Sequence, residues 1–185
     1  MIRTKRLILR QWKPKDYPLF AKMNADPLVR EFFPTLLTTD ESNEQACLFQ
    51  KRIEENGWGF FAVEAPGIAD FIGFIGIQPI PFTAPFTPSV EIGWRIAHEF
   101  WGRGFAPEGA SAVLEYGFRN LHLPEIVSLT PLQNLRSMKV MEKIGMTRNP
   151  EEDFDHPRVA DGHPLKRHVL YRITNNEWEI KYGKQ

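Results

Sequence analysis

The chain of 185 residues contains a single cysteine, Cys47. No intramolecular disulfide can form, and no cysteine cluster can hold zinc. The context Glu44-Gln45-Ala46-Cys47-Leu48-Phe49 reads as an amphipathic helix, so Cys47 is expected to be a buried structural thiol rather than a nucleophile. An excess of either charge is also missing. The 23 basic and 23 acidic side chains cancel, which argues against generic nucleic-acid binding. No apolar run approaches the ~20 residues of a membrane span, and Met1–Leu7 has no signal-peptide character, so a cytoplasmic protein without membrane contact is expected. Repeats and low-complexity linkers are absent too. One domain over residues 1–185 is expected, large enough to bury a core without disulfide or metal.

Secondary structure is legible from period and punctuation. Arg6–Arg10 predicts a first strand, and Pro14 a helix start followed by Tyr17, Phe20 and Ala21. Pro27 can open a second short helix to Phe33, stopped by Pro34. Thr38 with Glu41 forms a capping-box signature for a helix to about Asn56, ended by Gly57. The period then changes to strands at 60–64 and 71–77, around a Pro66-Gly67 turn. Pro79, Pro81, Pro85 and Pro88 predict a loop, and a strand resumes at Val90–Ile96. Ala110, Val113, Leu114, Gly117, Phe118 and Leu121 form the stripe of a helix with Pro107 in its first turn. A strand at 126–130 and a helix to Ile144 closed by Gly145 follow. Two late strands, near 146–154 and 166–174, flank a Pro/Gly/His-rich loop.

The segment Gly102-Arg103-Gly104-Phe105-Ala106 lies between a strand and a helix. Two glycines before a helix let successive backbone N–H groups converge on one ligand, and the helix terminus adds about half a positive charge. An anion such as diphosphate suits this nest, with Arg103 at its rim. A plain connecting turn fits the spacing equally well. No Gly-Lys-Ser/Thr follows, so it is not a P-loop, and Pro107 stands where a Gly-x-Gly-x-x-Gly register needs its third glycine.

Taken in order, the motifs Glu91-Ile92-Gly93-Trp94-Arg95-Ile96 and Trp101-Gly102-Arg103-Gly104-Phe105-Ala106-Pro107-Glu108 resemble the acetyl-CoA signature of GNAT N-acetyltransferases. Thr4–Arg10, Asn134-Leu135-Arg136-Ser137, Glu142–Met146 and His168–Tyr171 resemble the RimJ/RimL-type branch, which acetylates ribosomal-protein N-termini. The resemblance covers almost the whole chain. It implies a single α/β (α+β) GNAT domain: a twisted, mixed, mostly antiparallel sheet of about seven strands, flanked by helices. Its fourth and fifth strands, 90–96 and 126–130, are expected to splay around the pantetheine arm of acetyl-CoA. By position, backbone groups of Trp94, Arg95 and Ile96 would hold pantetheine and the acetyl carbonyl. Gly102, Arg103, Gly104, Phe105, Ala106 and Pro107 would hold the diphosphate, and the Asn134 amide another part of the cofactor. The family motif has Gln or Arg where this chain has Trp101.

Acetyl transfer to an amine of pKa ~8 to ~10.4 needs a proton acceptor, a stabilised oxyanion and a thiolate leaving group. No metal is required. Glu91 is the candidate base, on one strand face with Gly93 and Arg95; an exposed residue or an Arg95 partner is the alternative. Ser137 is the candidate proton donor to the thiolate, on an apolar helix stripe with Val140, Met141 and Ile144; a hydroxyl satisfied by the preceding turn is the alternative. Met141 occupies the position of the tyrosine acid of many GNAT enzymes and cannot donate. Phe32, Phe33, His156 and His163 are candidate acceptor contacts, and Trp12, Tyr17, Phe82 and Phe86 candidate cleft walls or core. The expected reaction is transfer from acetyl-CoA to a primary amine, on a peptide N-terminus or a small molecule. A non-catalytic acyl-CoA-binding module is the alternative, and monomer and homodimer both remain open.

Overall fold

The computed structural model describes residues 1–183. Among the described residues nine strands form one sheet: β1 (Ile2–Arg3), β2 (Ile8–Arg10), β3 (Phe60–Ala65), β4 (Ala69–Pro79), β5 (Val90–Ile96), β6 (Glu125–Pro131), β7 (Thr147–Arg148), β8 (Phe154–Asp155) and β9 (Arg167–Thr174). Their spatial order is β1-β2-β3-β4-β5-β6-β9-β7, with β8 also on β9. Every pair is antiparallel except β5 with β6. That parallel pair meets at one bridge, Glu91 to Val127, and then separates. The expected splay is therefore present between the two strands named for it.

Five helices cover the sheet: α1 (Asp16–Asn24), α2 (Thr39–Asn56), α3 (Phe105–Arg119), α4 (Leu135–Lys143) and α5 (Asn175–Tyr182). One face packs α3 through Ala110, Val113, Leu114 and Phe118 against Leu9, Ile75, Ile77, Ile92 and Ile126. The other face is aromatic: Trp12, Phe20, Phe49, Phe60, Phe71 and Phe74 interlock beneath α1 and α2. Trp12 belongs to this core, donating its indole N–H to the Phe60 carbonyl at 2.8 Å. Ile72 and Ile75 both join the α3-side core although alternation along β4 would separate them. The break lies at Gly73, whose φ of 141° re-aims the strand.

Local signals were mostly obeyed. Thr38 and Glu41 form the reciprocal capping box of α2, and Gly57 ends it at φ 78°. Three expectations fail. Residues 27–33 form turns, not a helix. The Arg30 side chain there closes the loop by donating from Nε and Nη2 to the Thr35 carbonyl, at 2.9 and 2.7 Å. Cys47 is exposed, because α2 turns Ala46 and Phe49 inward and leaves the thiol outside, 3.6 Å from the Tyr17 hydroxyl. The strand expected over 146–154 is interrupted by a 3-10 turn at Pro150–Glu152, where proline cannot extend the ladder.

Candidate functional site

The site begins with the two edges of β5. In an antiparallel ladder every second pair exchanges hydrogen bonds. Ala97 N–H donates to Ile72 C=O at 2.9 Å and Ile80 N–H to Ser89 C=O at 3.0 Å, bracketing the β4–β5 register. The bonded pairs in between are therefore Arg95–Phe74, Gly93–Gly76 and Glu91–Gln78. The backbone groups of Ile92, Trp94 and Ile96 point the opposite way, toward the splay. Ser128 Oγ donates to Ile92 C=O at 3.0 Å, and Trp101 Nε1 to Ile96 C=O at 2.7 Å. This leaves Trp94 N–H and C=O and Ile96 N–H on the open edge. The backbone of Arg95 is turned into the sheet, so the contact expected of it falls to its two neighbours.

Beyond β5 the chain enters the glycine loop. Gly102 and Gly104 have φ of 75° and 78°, the left-handed region where side-chain-bearing residues are strained. Gly104 is the N-cap of α3, and no side chain caps that helix. Among the described residues, none of the N–H groups of Gly102 through Ala106 has a backbone acceptor, and the first bond inside α3 is Glu108 N–H to Gly104 C=O at 3.2 Å. Pro107 has no N–H to offer. Phe105 turns its ring into the core while its N–H stays with the loop. These are the features of an anion nest at a helix start.

A brace missed in the sequence holds the nest. Arg6 donates from Nη1 to Arg103 C=O at 2.9 Å and from Nε to Glu108 at 2.6 Å, while Thr4 Oγ1 donates to Glu108 at 2.6 Å. Burial alone would raise the Glu108 carboxyl, but these donors hold it below its ordinary range. Arg103 itself is exposed, its guanidinium 5.6 Å from the Phe100 ring centroid. Trp101 occupies the position of a family polar residue, yet its indole N–H still serves the β5 edge.

At the N-terminus of α4, Asn134 caps the helix: its Oδ1 accepts from Ser137 N–H at 3.2 Å and its Nδ2 donates to Thr130 Oγ1 at 2.9 Å. Each end of the amide makes one bond, which fixes its orientation at the helix start, while the second Nδ2 hydrogen and the second Oδ1 lone pair are not used in these contacts. Ser137 is half-buried beside the buried Met141 and Ile144, and its hydroxyl has no hydrogen-bond partner among the described residues. Arg136 stacks 4.7 Å over Trp101 and pairs with Glu31, linking α4 to the loop after α1.

The face of β5 toward α1 and α2 carries Glu91 and Arg95, with no bulge between them. Glu91 accepts from Gln78 Nε2 at 2.6 Å. Burial pushes its carboxyl above the ordinary range, opposed by the Gln78 bond and the charges of Arg52 and Arg158. Arg95 donates from Nη1 to Asn24 Oδ1 at 2.6 Å, so the suggested Glu91–Arg95 pairing is not formed. Phe33 stacks 4.3 Å from both Arg30 and Arg95, and Phe32 lies 5.4 Å from Arg136. His156 packs against Phe82 at 4.6 Å and His168 at 4.8 Å, and burial holds its pKa down to about 4. His163 is a turn residue, its Nδ1 accepting from Leu165 N–H at 3.1 Å. Phe82 and Phe86 pack on the same loop, Phe86 4.8 Å from Phe154. Among the described residues no group of histidine, cysteine and carboxylate side chains is arranged to hold a metal.

A splayed parallel pair feeding a glycine nest defines a class of acyl-transfer fold. Comparison with known proteins agrees. Residues 6–147 match the family model described as acetyltransferase (GNAT) domain. The chain is 30% identical to the uncharacterized N-acetyltransferase YnaD of Bacillus subtilis over 178 residues, covering 96% of this chain and 98% of that protein. It is 30% identical to FsC-acetyl coenzyme A-N(2)-transacetylase of Aspergillus fumigatus, covering 85% of this chain and 68% of the relative. A GNAT acetyltransferase structure from Bacillus anthracis superposes with TM-score 0.77 at 26% identity, covering 95% of this chain and 98% of the other. Spermidine N-acetyltransferase from Vibrio cholerae, solved with CoA and spermine, superposes with TM-score 0.72 at 22% identity, over 95% and 99% of the two chains. The chain belongs to the GNAT acetyltransferase family and is an acyltransferase.

Proposed function

We propose that this protein moves an acetyl group from acetyl-CoA to a primary amine by direct attack in a ternary complex. The observation that carries the reading is the continuity of two backbone features: the open edge at Trp94 and Ile96, and the N–H nest of Gly102–Ala106. Pantetheine lies along the edge and diphosphate in the nest, with Arg103 at its rim. Trp94 N–H polarises the thioester carbonyl and receives the developing oxyanion.

The amine nitrogen forms a bond to the acetyl carbon. Its proton passes to Glu91 through water, the C–S bond breaks, and Ser137 passes its hydroxyl proton to the departing thiolate while taking one back from water. The raised pKa of Glu91 and the unpartnered Ser137 hydroxyl support these roles. Phe32, Phe33 and His156 line the acceptor approach; His163, occupied by its own turn, contributes only at the loop's edge. Thr4–Arg10 and Asn134–Ser137 support placement in the RimJ/RimL-type branch, and branch membership leaves peptide and small-molecule amines both open. Among the described residues no helix is long and apolar enough to cross a membrane, and we place the enzyme in the cytoplasm as monomer or homodimer.

The test is release of free CoA thiol with a panel of amines and peptides, alongside thermal stabilisation by acetyl-CoA and by ATP. Stabilisation by acetyl-CoA alone, with amine-dependent thiol release, is expected. Stabilisation without release for any acceptor would favour the acyl-CoA-binding module, and no stabilisation would remove both readings.

A further inference from the structure

The side-chain face of β5 contains an arginine whose surroundings do not match its charge. Arg95 is 9% exposed and has no carboxylate within ion-pair distance among the described residues. Its Nη1 donates to Asn24 Oδ1 at 2.6 Å and reaches Gln45 Oε1 at 3.4 Å, both neutral acceptors. Its Nε is buried with no acceptor, and Nη2, which is not fully buried, makes no hydrogen bond among the described residues. Nε and Nη2 together form the lateral edge of a guanidinium, the edge that grips a carboxylate through two parallel N–H···O bonds.

The neighbours increase the mismatch. Phe33 and Phe74 flank the guanidinium at 4.3 and 5.2 Å from their ring centroids. Behind Phe33 lies Arg30, 7% exposed, which donates from Nε and Nη2 to the Thr35 carbonyl and has no ion-pair partner among the described residues. The nearest acid acting on it is Glu41, and that carboxylate is committed to the Thr38 capping box. Burial beside a second cation lowers the Arg95 pKa to about 9. A buried charge left this way is costly, whereas replacing such a group by an apolar one is often neutral or stabilising. Phe33 covers the site from a loop of turns with 39% of its own surface exposed, so the cover is at the surface.

We propose that the lateral edge of Arg95 binds a carboxylate on the acceptor, making the substrate class an amine that also carries a carboxylate. The inference rests on the acetyltransferase reading above and deepens it. Arg95 follows Trp94, the residue whose backbone receives the oxyanion, so the two recognition points are adjacent on one strand. Arg30 adds long-range attraction for the same group, and the Phe33 ring moves aside as the carboxylate enters. The same two cations repel polyamines, the class named for the Vibrio cholerae neighbour, at this position.

The test uses matched pairs: α-, β- and ω-amino acids and dipeptides, each beside its carboxamide, with spermidine as a cationic control. Binding to the full chain is read by thermal shift and calorimetry, with and without acetyl-CoA. At least one acid is expected to bind about tenfold or more tighter than its amide, and spermidine not to compete with it. Arg95→Met is expected to melt no lower than the parent and to bring acid and amide within about twofold, while Arg95→Lys restores part of the preference. Equal binding of acid and amide across the whole panel would overturn the proposal. So would an Arg95→Met protein that keeps the preference. If Arg95→Met does not fold, Arg30→Met and Phe33→Ala report on the same preference, and no change in either counts against it. Failure of acetyl-CoA to bind, with the acid–amide difference intact, would count against the acetyltransferase reading alone.

Discussion

One edge and one face of strand β5 offer two kinds of group. Toward the splay and the α3 terminus the groups on offer are backbone: Trp94, Ile96 and the N–H groups of Gly102–Ala106. Toward α1 and α2 they are side chains, Glu91 and Arg95, set among Gln78, Asn24 and Phe33. A backbone site depends on chain geometry and tolerates many side chains, which is why Trp101 can replace a polar residue of the family motif. A side-chain site changes with each substitution. The cofactor half is therefore the shared part of such a protein and the acceptor half the individual part.

The comparison is broken most completely where both halves share a support. Gly73 has φ 141°, and a Cβ there would collide with the Arg95 carbonyl. Gly73→Ala should cost roughly 2–6 kcal/mol from strain and overpacking, read as a lower denaturant midpoint, with both binding functions lost together. Parental stability would show that the two halves do not share this support.

Glu91→Gln separates the halves. Turnover should fall about a hundredfold while acetyl-CoA affinity holds within a few-fold. The base works ionised, so activity rises with pH through the folded pKa of Glu91, which burial places above the ordinary carboxylate range. The variant should lose that rising limb, and an unchanged pH profile would remove Glu91 as base.

Gly104→Val acts on the other half. The added Cβ meets only Arg6 Nη2 at 3.4 Å, so the penalty is the left-handed φ rather than space. The strain should lower stability by about 1–3 kcal/mol, and acetyl-CoA affinity should fall on the order of tenfold as the loop relaxes away from the nest. Calorimetry that finds parental affinity would move the diphosphate away from this loop.

The smallest effect concerns the loop beside the acceptor face. His156 is held neutral in the fold, with its pKa lowered from 6.5 to about 4 by burial and by the charges of His168, Arg158 and Lys166. A depressed folded pKa gives stability that is complete above 6.5 and is lost as pH falls toward 4. Discounted for partial exposure, that share is on the order of 1 kcal/mol, about 2–4 °C in Tm. His156→Phe should flatten this acid slope in part, since burial lowers the His168 pKa as well. An identical slope in the variant would show that His156 does not titrate there.

Element type was written in local sequence, and the reasons are local. The Thr38–Glu41 box, the α3 stripe and the glycines at 57, 102, 104 and 145 act through neighbours a few residues away. The nest at Gly102–Ala106 was legible for the same reason, because two glycines and a helix start suffice to specify it. Where the reading failed, a distant or competing partner decided. Arg30 closes its own loop on Thr35 in place of a helix, and Cys47 faces outward because Ala46 and Phe49 take the inward positions of α2.

The order of motifs determined the family and the glycine nest, since backbone geometry follows from glycine, proline and hydrophobic period. Tertiary structure alone decided that Arg95 turns its backbone into the sheet and its guanidinium into a buried position without a counter-charge. The neighbours that create that setting, Asn24 and Arg30 among them, lie 71 and 65 positions earlier in the chain and meet Arg95 only when α1 and its following loop pack on the sheet. No local pattern encodes such a meeting, because charge compensation depends on which side chains share a volume rather than which share a segment.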